Sequence, residues 1–150
     1  MSAHRKFTES VALLGAIDAD AYGASTVLTG WVRANEFNAY AALIAAGDLG
    51  SSATIDAKIR QATDGAGTGA KDVTGKAITQ FTQAGTDSNK QSWINFMASD
   101  LDLAGGFEWV AVSMTVAVAA SDAAAFLFGL GPKQSPASAY DATTVDEIVG

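Results

Sequence analysis

The stretch whose reading decides the fold runs from Phe107 to Leu130. It reads Phe107-Glu108-Trp109-Val110-Ala111-Val112-Ser113-Met114-Thr115-Val116-Ala117-Val118, then Ala119-Ala120-Ser121-Asp122, then Ala123-Ala124-Ala125-Phe126-Leu127-Phe128-Gly129-Leu130. At period two, Val110, Val112, Met114, Val116 and Val118 form one wholly apolar row, opposite a mixed row that includes Trp109, Ser113 and Thr115. Such a row predicts a strand with one face in a core. The interruption from Ala119 to Asp122 predicts a short turn into a second, neighbouring antiparallel strand. Glu108 and Asp122 inside the stretch, with no basic residues flanking it, argue for strands in water over a membrane span.

Working outward, further strand patterns lie at Ser25 to Val32, Phe37 to Ala46, Ala53 to Arg60, Lys76 to Phe81 and Lys90 to Ala98, separated by Gly, Ser, Asp and Asn clusters. Phe37 to Ala46 is rich enough in alanine to be helical on propensity, but its length of ten residues and its neighbours favour a strand. Ala53, Ile55, Ala57 and Ile59 alternate with Thr54, Asp56, Lys58 and Arg60, which predicts a strand with one solvated, mixed-charge face. Asp18 to Gly23 reads as a turn. The pattern describes an all-β, antiparallel β-sandwich, with a jelly roll preferred among sandwich topologies. Its expected organisation is an N-terminal arm or short leading strand at residues 1–24, a sandwich at 25–131, and a C-terminal tail or strap at 132–150.

Composition limits the function classes. The chain has 150 residues, 49% hydrophobic and 17% charged, which excludes wholesale disorder and suits one domain. A net charge of -7 repels phosphate backbones and anionic lipid, so neither nucleic acid nor membrane is an expected partner. The basic cluster His4-Arg5-Lys6 is too small for a nucleic-acid arm. There are no cysteines, so disulfides and thiolate metal sites are impossible. No long apolar segment near the N-terminus suggests a secretory signal.

The chemistry-bearing patterns are weak. His4 is the only histidine, which leaves serine–histidine catalysis without a base in the body of the chain. Asp64 to Ala70 is glycine-rich but lacks the phosphate-loop sequence, and reads as a flexible hairpin loop. Asp100 and Asp102 have the alternation of calcium ligands, yet Glu108 comes too early to complete such a loop. No enzyme activity, metal or cofactor is expected. Trp31, Trp93 and Trp109 fall in separate predicted strands; with Tyr140 they are read as core or subunit-interface aromatics, against the alternative of a sugar-binding platform.

Four segments carry a resemblance: Ser10-Val11-Ala12-Leu13-Leu14; Ala53 through Asp64; Gly69-Ala70-Lys71-Asp72-Val73-Thr74-Gly75-Lys76-Ala77-Ile78-Thr79-Gln80; and the turn from Leu101-Asp102-Leu103 to Gly106. They resemble a family of small virion proteins encoded beside the major capsid gene in tailed phages and prophages, over roughly residues 10 to 136. Where relatives carry an arginine–tyrosine pair after the final strand, this chain has Pro132-Lys133-Gln134. The resemblance implies a cement or decoration protein on the outer surface of an icosahedral shell, assembled in the bacterial cytoplasm. Implied partners are the major capsid protein and further copies of the chain, with a trimer expected at three-fold positions. The expected shell contacts are Arg5, Lys6, Phe7, Val11, Leu13 and Leu14, on an arm whose removal up to residue 14 should leave the sandwich folded. The competing expectations are a carbohydrate-binding sandwich of a tail or spike, with the tryptophans exposed and coplanar, and a head-to-tail joining or tail component.

Overall fold

The computed structural model describes residues 5–150; His4 of the basic cluster lies outside them. A single helical turn, α1 (Phe7–Ser10), leads into ten strands: β1 (Val11–Tyr22), β2 (Ser25–Leu28), β3 (Val32–Arg33), β4 (Phe37–Ala46), β5 (Thr54–Ala62), β6 (Lys71–Ala77), β7 (Phe81–Thr82), β8 (Gln91–Phe96), β9 (Trp109–Ala117) and β10 (Ser121–Pro132). All strand pairs are antiparallel. One sheet has the order β1-β10-β4-β8 and the other β2-β9-β5-β6, with the two-residue strands β3 and β7 attached to β9 and β5.

Leaving those two short strands aside, the sheets read first-eighth-third-sixth and second-seventh-fourth-fifth in chain order. That interleaving is the jelly roll, in which the chain passes repeatedly from one sheet to the other. It also corrects one expectation. β9 and β10 are not hydrogen-bonded neighbours; they belong to opposite sheets, and each offers a row to the space between them. The physical reason is that both strands carry an apolar row, and a sandwich buries both rows only by placing them face to face. Val118 sits in this corner with φ 76° and is 70% exposed, so it leaves the core row to which its period assigns it. The corner is held by the parallel corner from β4 to β5. Gly47 N–H donates to Asp122 C=O at 2.7 Å, Asp122 N–H to Asp48 C=O at 2.9 Å, and Gly50 N–H to Ser121 Oγ at 3.1 Å.

Both sheets supply large side chains to the core. Ile55, Ile59, Val110, Val112, Met114 and Val116 come from β5 and β9, and all are buried. The other sheet answers with Ala12, Ala42, Ala46, Ala123 and Ala125, relieved by Ile17, Tyr40, Ile44, Phe96 and Leu127. Tyr40 stacks on Phe96 with centroids 5.3 Å apart, and its hydroxyl accepts from Phe37 N–H at 3.2 Å. Gly129 is required beneath Phe37, because a Cβ there would lie 2.5 Å from Phe37 Cγ.

Three boundaries differ from the sequence reading. Asp18 to Tyr22 continues β1 through an irregularity between Ile17 and Asp20. The strand expected at Lys76 to Phe81 is instead the end of β6, a link, and the two residues of β7. The third concerns residues 1–24. Of the arm and the short leading strand expected there, residues 11 to 22 form a strand, longer than expected and paired with β10. Ala12 and Ile17 are buried and Leu14 packs against the core, because the apolar row of β10 needs a neighbour on this side.

The tail also folds back in cis. Tyr140, in a short turn at Ala137–Tyr140, packs edge-on against Phe37 at 5.4 Å. Beyond it, Leu13 N–H donates to Asp141 Oδ1 at 2.9 Å and Ala142 N–H donates to Leu13 C=O at 2.7 Å. The free edge of β1 is thereby covered where it would otherwise invite another strand.

Truncation tests this. Deleting residues 1–6 is expected to leave thermal stability unchanged. Deleting residues 1–14 removes Ala12, Leu14 and the start of the β1–β10 ladder, and should cost more than about 3 kcal/mol in denaturant unfolding.

Candidate interaction surfaces

The two sheets present very different outer faces. On the β2-β9-β5-β6 sheet the outward side chains are polar and paired with one another. Lys58 Nζ lies 2.9 Å from Asp72 Oδ2, Gln80 Nε2 donates to Asp56 Oδ2 at 2.7 Å, and the Thr26 and Thr115 hydroxyls are 2.8 Å apart. Arg60 Nη2 donates to Ala70 C=O at 2.8 Å, and Arg33 meets Glu108 at 2.8 Å. Exposed pairs of this kind add little stability, but they mark a face made for water.

The outer face of the β1-β10-β4-β8 sheet is largely apolar, with the amides of Gln91 and Asn95 on its β8 margin. β10 turns Phe126, Phe128 and Leu130 outward, in register with Leu43, Ala41 and Ala39 of β4. β8 places Trp93 beside Leu43 and Asn95 beside Ala41, and β1 places Leu13 beside Phe128 and Val11 beside Leu130. Trp93 is 60% exposed and leans across the sheet to within 6.0 Å of Phe128, which in turn lies 6.4 Å from Phe126. From Ala124 to Leu130 on β10, and at the paired positions of β4 and β8, no outward residue is charged. Four strands about 4.8 Å apart, over the seven residues from Ala124 to Leu130, project roughly 450 Å². That lies in the range of the largest apolar patch on an ordinary monomer, about 300–600 Å², which is often functional.

The sequence contains a signal for this face. Phe37 to Ala46 is apolar at both parities, as is Ala123 to Leu130, and an antiparallel strand apolar on both faces is covered on both. The period was legible; which row faced outward was not.

The expected site residues separate. Arg5 and Lys6 are exposed, and Phe7 is 74% exposed at the end of the sheet. Val11 and Leu13 belong to the apolar face, whereas Leu14 packs against the core. Phe7, Val11, Leu13 and Phe128 line a shallow recess with the tail residues Val145, Ile148 and Val149. The tryptophans do not form one platform. Trp93 stands on one sheet, while Trp109 belongs to β9 of the other. Trp31 and Trp109 are half-buried under the loop from Asp64 to Ala70: Gly65 lies against the Trp109 ring and Gly67 against Trp31. Gly67 has φ 82°, and a Cβ there would lie 2.6 Å from Trp31 Nε1.

The Asp/Gly loops are internally anchored. Asp64 Oδ1 accepts from Ala66 N–H at 2.9 Å and Thr68 N–H at 3.0 Å; Asp87 accepts from Thr82 N–H at 2.9 Å. Asp102 meets Lys71 Nζ at 2.6 Å and accepts from Gly105 N–H at 3.0 Å, while Lys71 also lies 4.0 Å over the Phe107 ring. Gln61, buried beneath, accepts from Asp102 N–H at 2.8 Å and donates to Asp72 C=O at 3.2 Å. Asp100 and Asp102 thus serve as turn anchors, and among the described residues no group of three or more His, Cys, Asp or Glu side chains converges on a metal position.

No family model matches the chain, and no curated protein sequence matches it. Among solved structures the chain is similar to the following at low identity. The cryo-EM structure of Broad Bean Stain Virus is 10% identical with TM-score 0.45, covering 91% of this chain and 97% of the viral one. A chain of infectious bursal disease virus Gt strain is 9% identical with TM-score 0.42, covering 85% of this chain, which spans 33% of the length of that one. A structure described as CBM4 structure and function is 12% identical with TM-score 0.35, covering 77% and 79%.

Two outcomes are expected of the loops. Gly67→Ala should lower the melting temperature and shift tryptophan emission, because both its φ and its approach to Trp31 exclude a side chain. Hydrogen bonds to the carboxyls, from Thr68 to Asp64, Thr82 to Asp87 and Lys71 to Asp102, hold all three below the ordinary value of 3.8. A depressed folded value stabilises above 3.8 and is lost as pH falls through the lower folded values. Thermal melts should therefore be level from neutrality to roughly pH 5 and decline below about pH 4.

Proposed function

We propose that the protein is a non-enzymatic structural component of a virus particle, a cement or decoration protein on the outer shell of a tailed phage. The observation that carries this reading is the two-sided sandwich: one face polar and self-paired, the other apolar, uncharged and wide enough for a protein interface. Binding through such a face needs complementary shape, not a pocket. The jelly-roll order and the resemblance of the Ala53 to Gln80 region to small virion proteins support it. The chain is expected to assemble in the bacterial cytoplasm and to contact the major capsid protein through the exposed end formed by Arg5, Lys6 and Phe7, with the neighbouring tail.

Cryo-electron microscopy of intact particles, with co-sedimentation of purified protein and shells, tests this. Density distributed over the shell is expected, and charge reversal at Arg5 and Lys6 should weaken co-sedimentation with the sandwich still folded. A ring at one vertex would assign the chain to the head–tail junction instead. Release from particles by a free glycan would assign it to carbohydrate binding through Trp93.

A further inference from the structure

We infer that the apolar outer face of the β1-β10-β4-β8 sheet is a self-association surface, covered in solution by the same face of a second copy related by a two-fold axis. The inference deepens the proposed function, since it names the occupant of the face on which that function rests.

Charge selects the occupant. The chain carries a net -7, so two copies approaching at random bring like charges together. The exception is the sheet face from Ala124 to Leu130 and its neighbours on β4 and β8, where no acid or base points outward. Acidic groups stand at its ends instead: Asp122 where β10 begins, and Asp141 and Glu147 where the tail crosses. The amides of Asn95 and Gln91 on β8 are the polar groups within reach, and amides pair with themselves as readily as with a partner.

Area sets the scale. A standard interface buries about 800 Å² of accessible surface per partner. The face projects roughly 450 Å², with Trp93 and Leu130 exposed on it and Leu43, Phe126 and Phe128 half-buried, so it supplies the apolar centre of a pair whose rim comes from the sheet ends and the tail. Large aromatics at the centre with alanines between them match the composition of interface centres, where tryptophan and its neighbours carry most of the energy. Ala39, Ala41 and Ala45 leave shallow furrows along β4, into which rings of a facing sheet fit. A face paired with itself closes at two copies, so the expected unit is a dimer in place of the trimer suggested by the sequence.

At the β1 edge, stacking is favoured over strand addition. The tail covers β1 at Leu13, so growth of the sheet through that edge is blocked. Face-to-face pairing leaves that cover in place.

Sedimentation velocity of the purified full-length chain, without any shell, is the decisive measurement. A dimer is expected at tens of micromolar. Leu43→Asp should raise the dissociation constant at least about 100-fold by burying unpaired carboxylates, with the native β-sheet circular dichroism spectrum retained because Leu43 points away from the core. Since the chain has no cysteine, single variants report geometry directly. Ala41→Cys or Asn95→Cys should cross-link to its own copy through a bis-maleimide of about 10 Å, the spacing of stacked sheets, and Thr115→Cys on the other sheet should not. A monomer at these concentrations, or a dimer unaffected by Leu43→Asp and linked only through Thr115→Cys, overturns the inference. A monomer whose Leu43→Asp variant loses shell binding would give the face to the shell protein; pairing would fail there while the structural role stood.

Discussion

The constraint on which everything else depends is the filling of the space between two sheets about 10 Å apart. One wall supplies Ile55, Ile59, Val110, Val112, Met114 and Val116. The other sets Ile17, Phe37, Tyr40, Ile44, Ile94, Phe96 and Leu127 among alanines, with Gly129 bare so that Phe37 can lie on it. Large side chains interleaved with alanine and glycine explain how a chain with 15 glycines can have a filled interior. Tyr40 and Phe96 occupy the space where alanine alone would leave a cavity.

The β1-β10-β4-β8 sheet places no charged residue on its outer side from Ala124 to Leu130. In an antiparallel sandwich the ordinary arrangement is a wet outer face, and the β2-β9-β5-β6 sheet follows it with Lys58, Asp72, Asp56 and Gln80. The β1-β10-β4-β8 sheet departs from it by setting Trp93, Phe126, Phe128 and Leu43 together. These cross-strand pairs support the sheet but lie outside the space between the two sheets. Their exposure to water is what the proposed pairing of two copies would remove.

The loops complete the division of labour. Each long excursion is tied by a carboxylate that accepts backbone or lysine donors, as at Asp64, Asp87 and Asp102, and the excursion at Asp64 shields two tryptophans at the end of the polar sheet. Acidic residues that looked like candidate ligands in the sequence are consumed by turn geometry. The single glutamine in the core, Gln61, joins the loops at Asp72 and Asp102 to the body through its two amide atoms.

What the sequence by itself determined was local: the period-two rows at Val110 to Val116 and Ile55 to Ile59, the turns rich in Gly, Asp and Ser, and the all-β class that follows from them. These depend on residues a few positions apart, where side-chain direction is set by the strand alone. The identity of neighbours across sheets was decided only by the tertiary structure. Phe107 to Leu130 reads as a hairpin because its link is short, yet β9 and β10 part at Val118 to bury two apolar rows against each other. Residues 11 to 22 read as an arm or a short leading strand because their pattern is irregular, and pairing with β10 settles them as a twelve-residue strand. Which side of β4 and β10 faces outward was equally undecided, since a strand apolar at both parities does not say which side is core until a second sheet covers one of them.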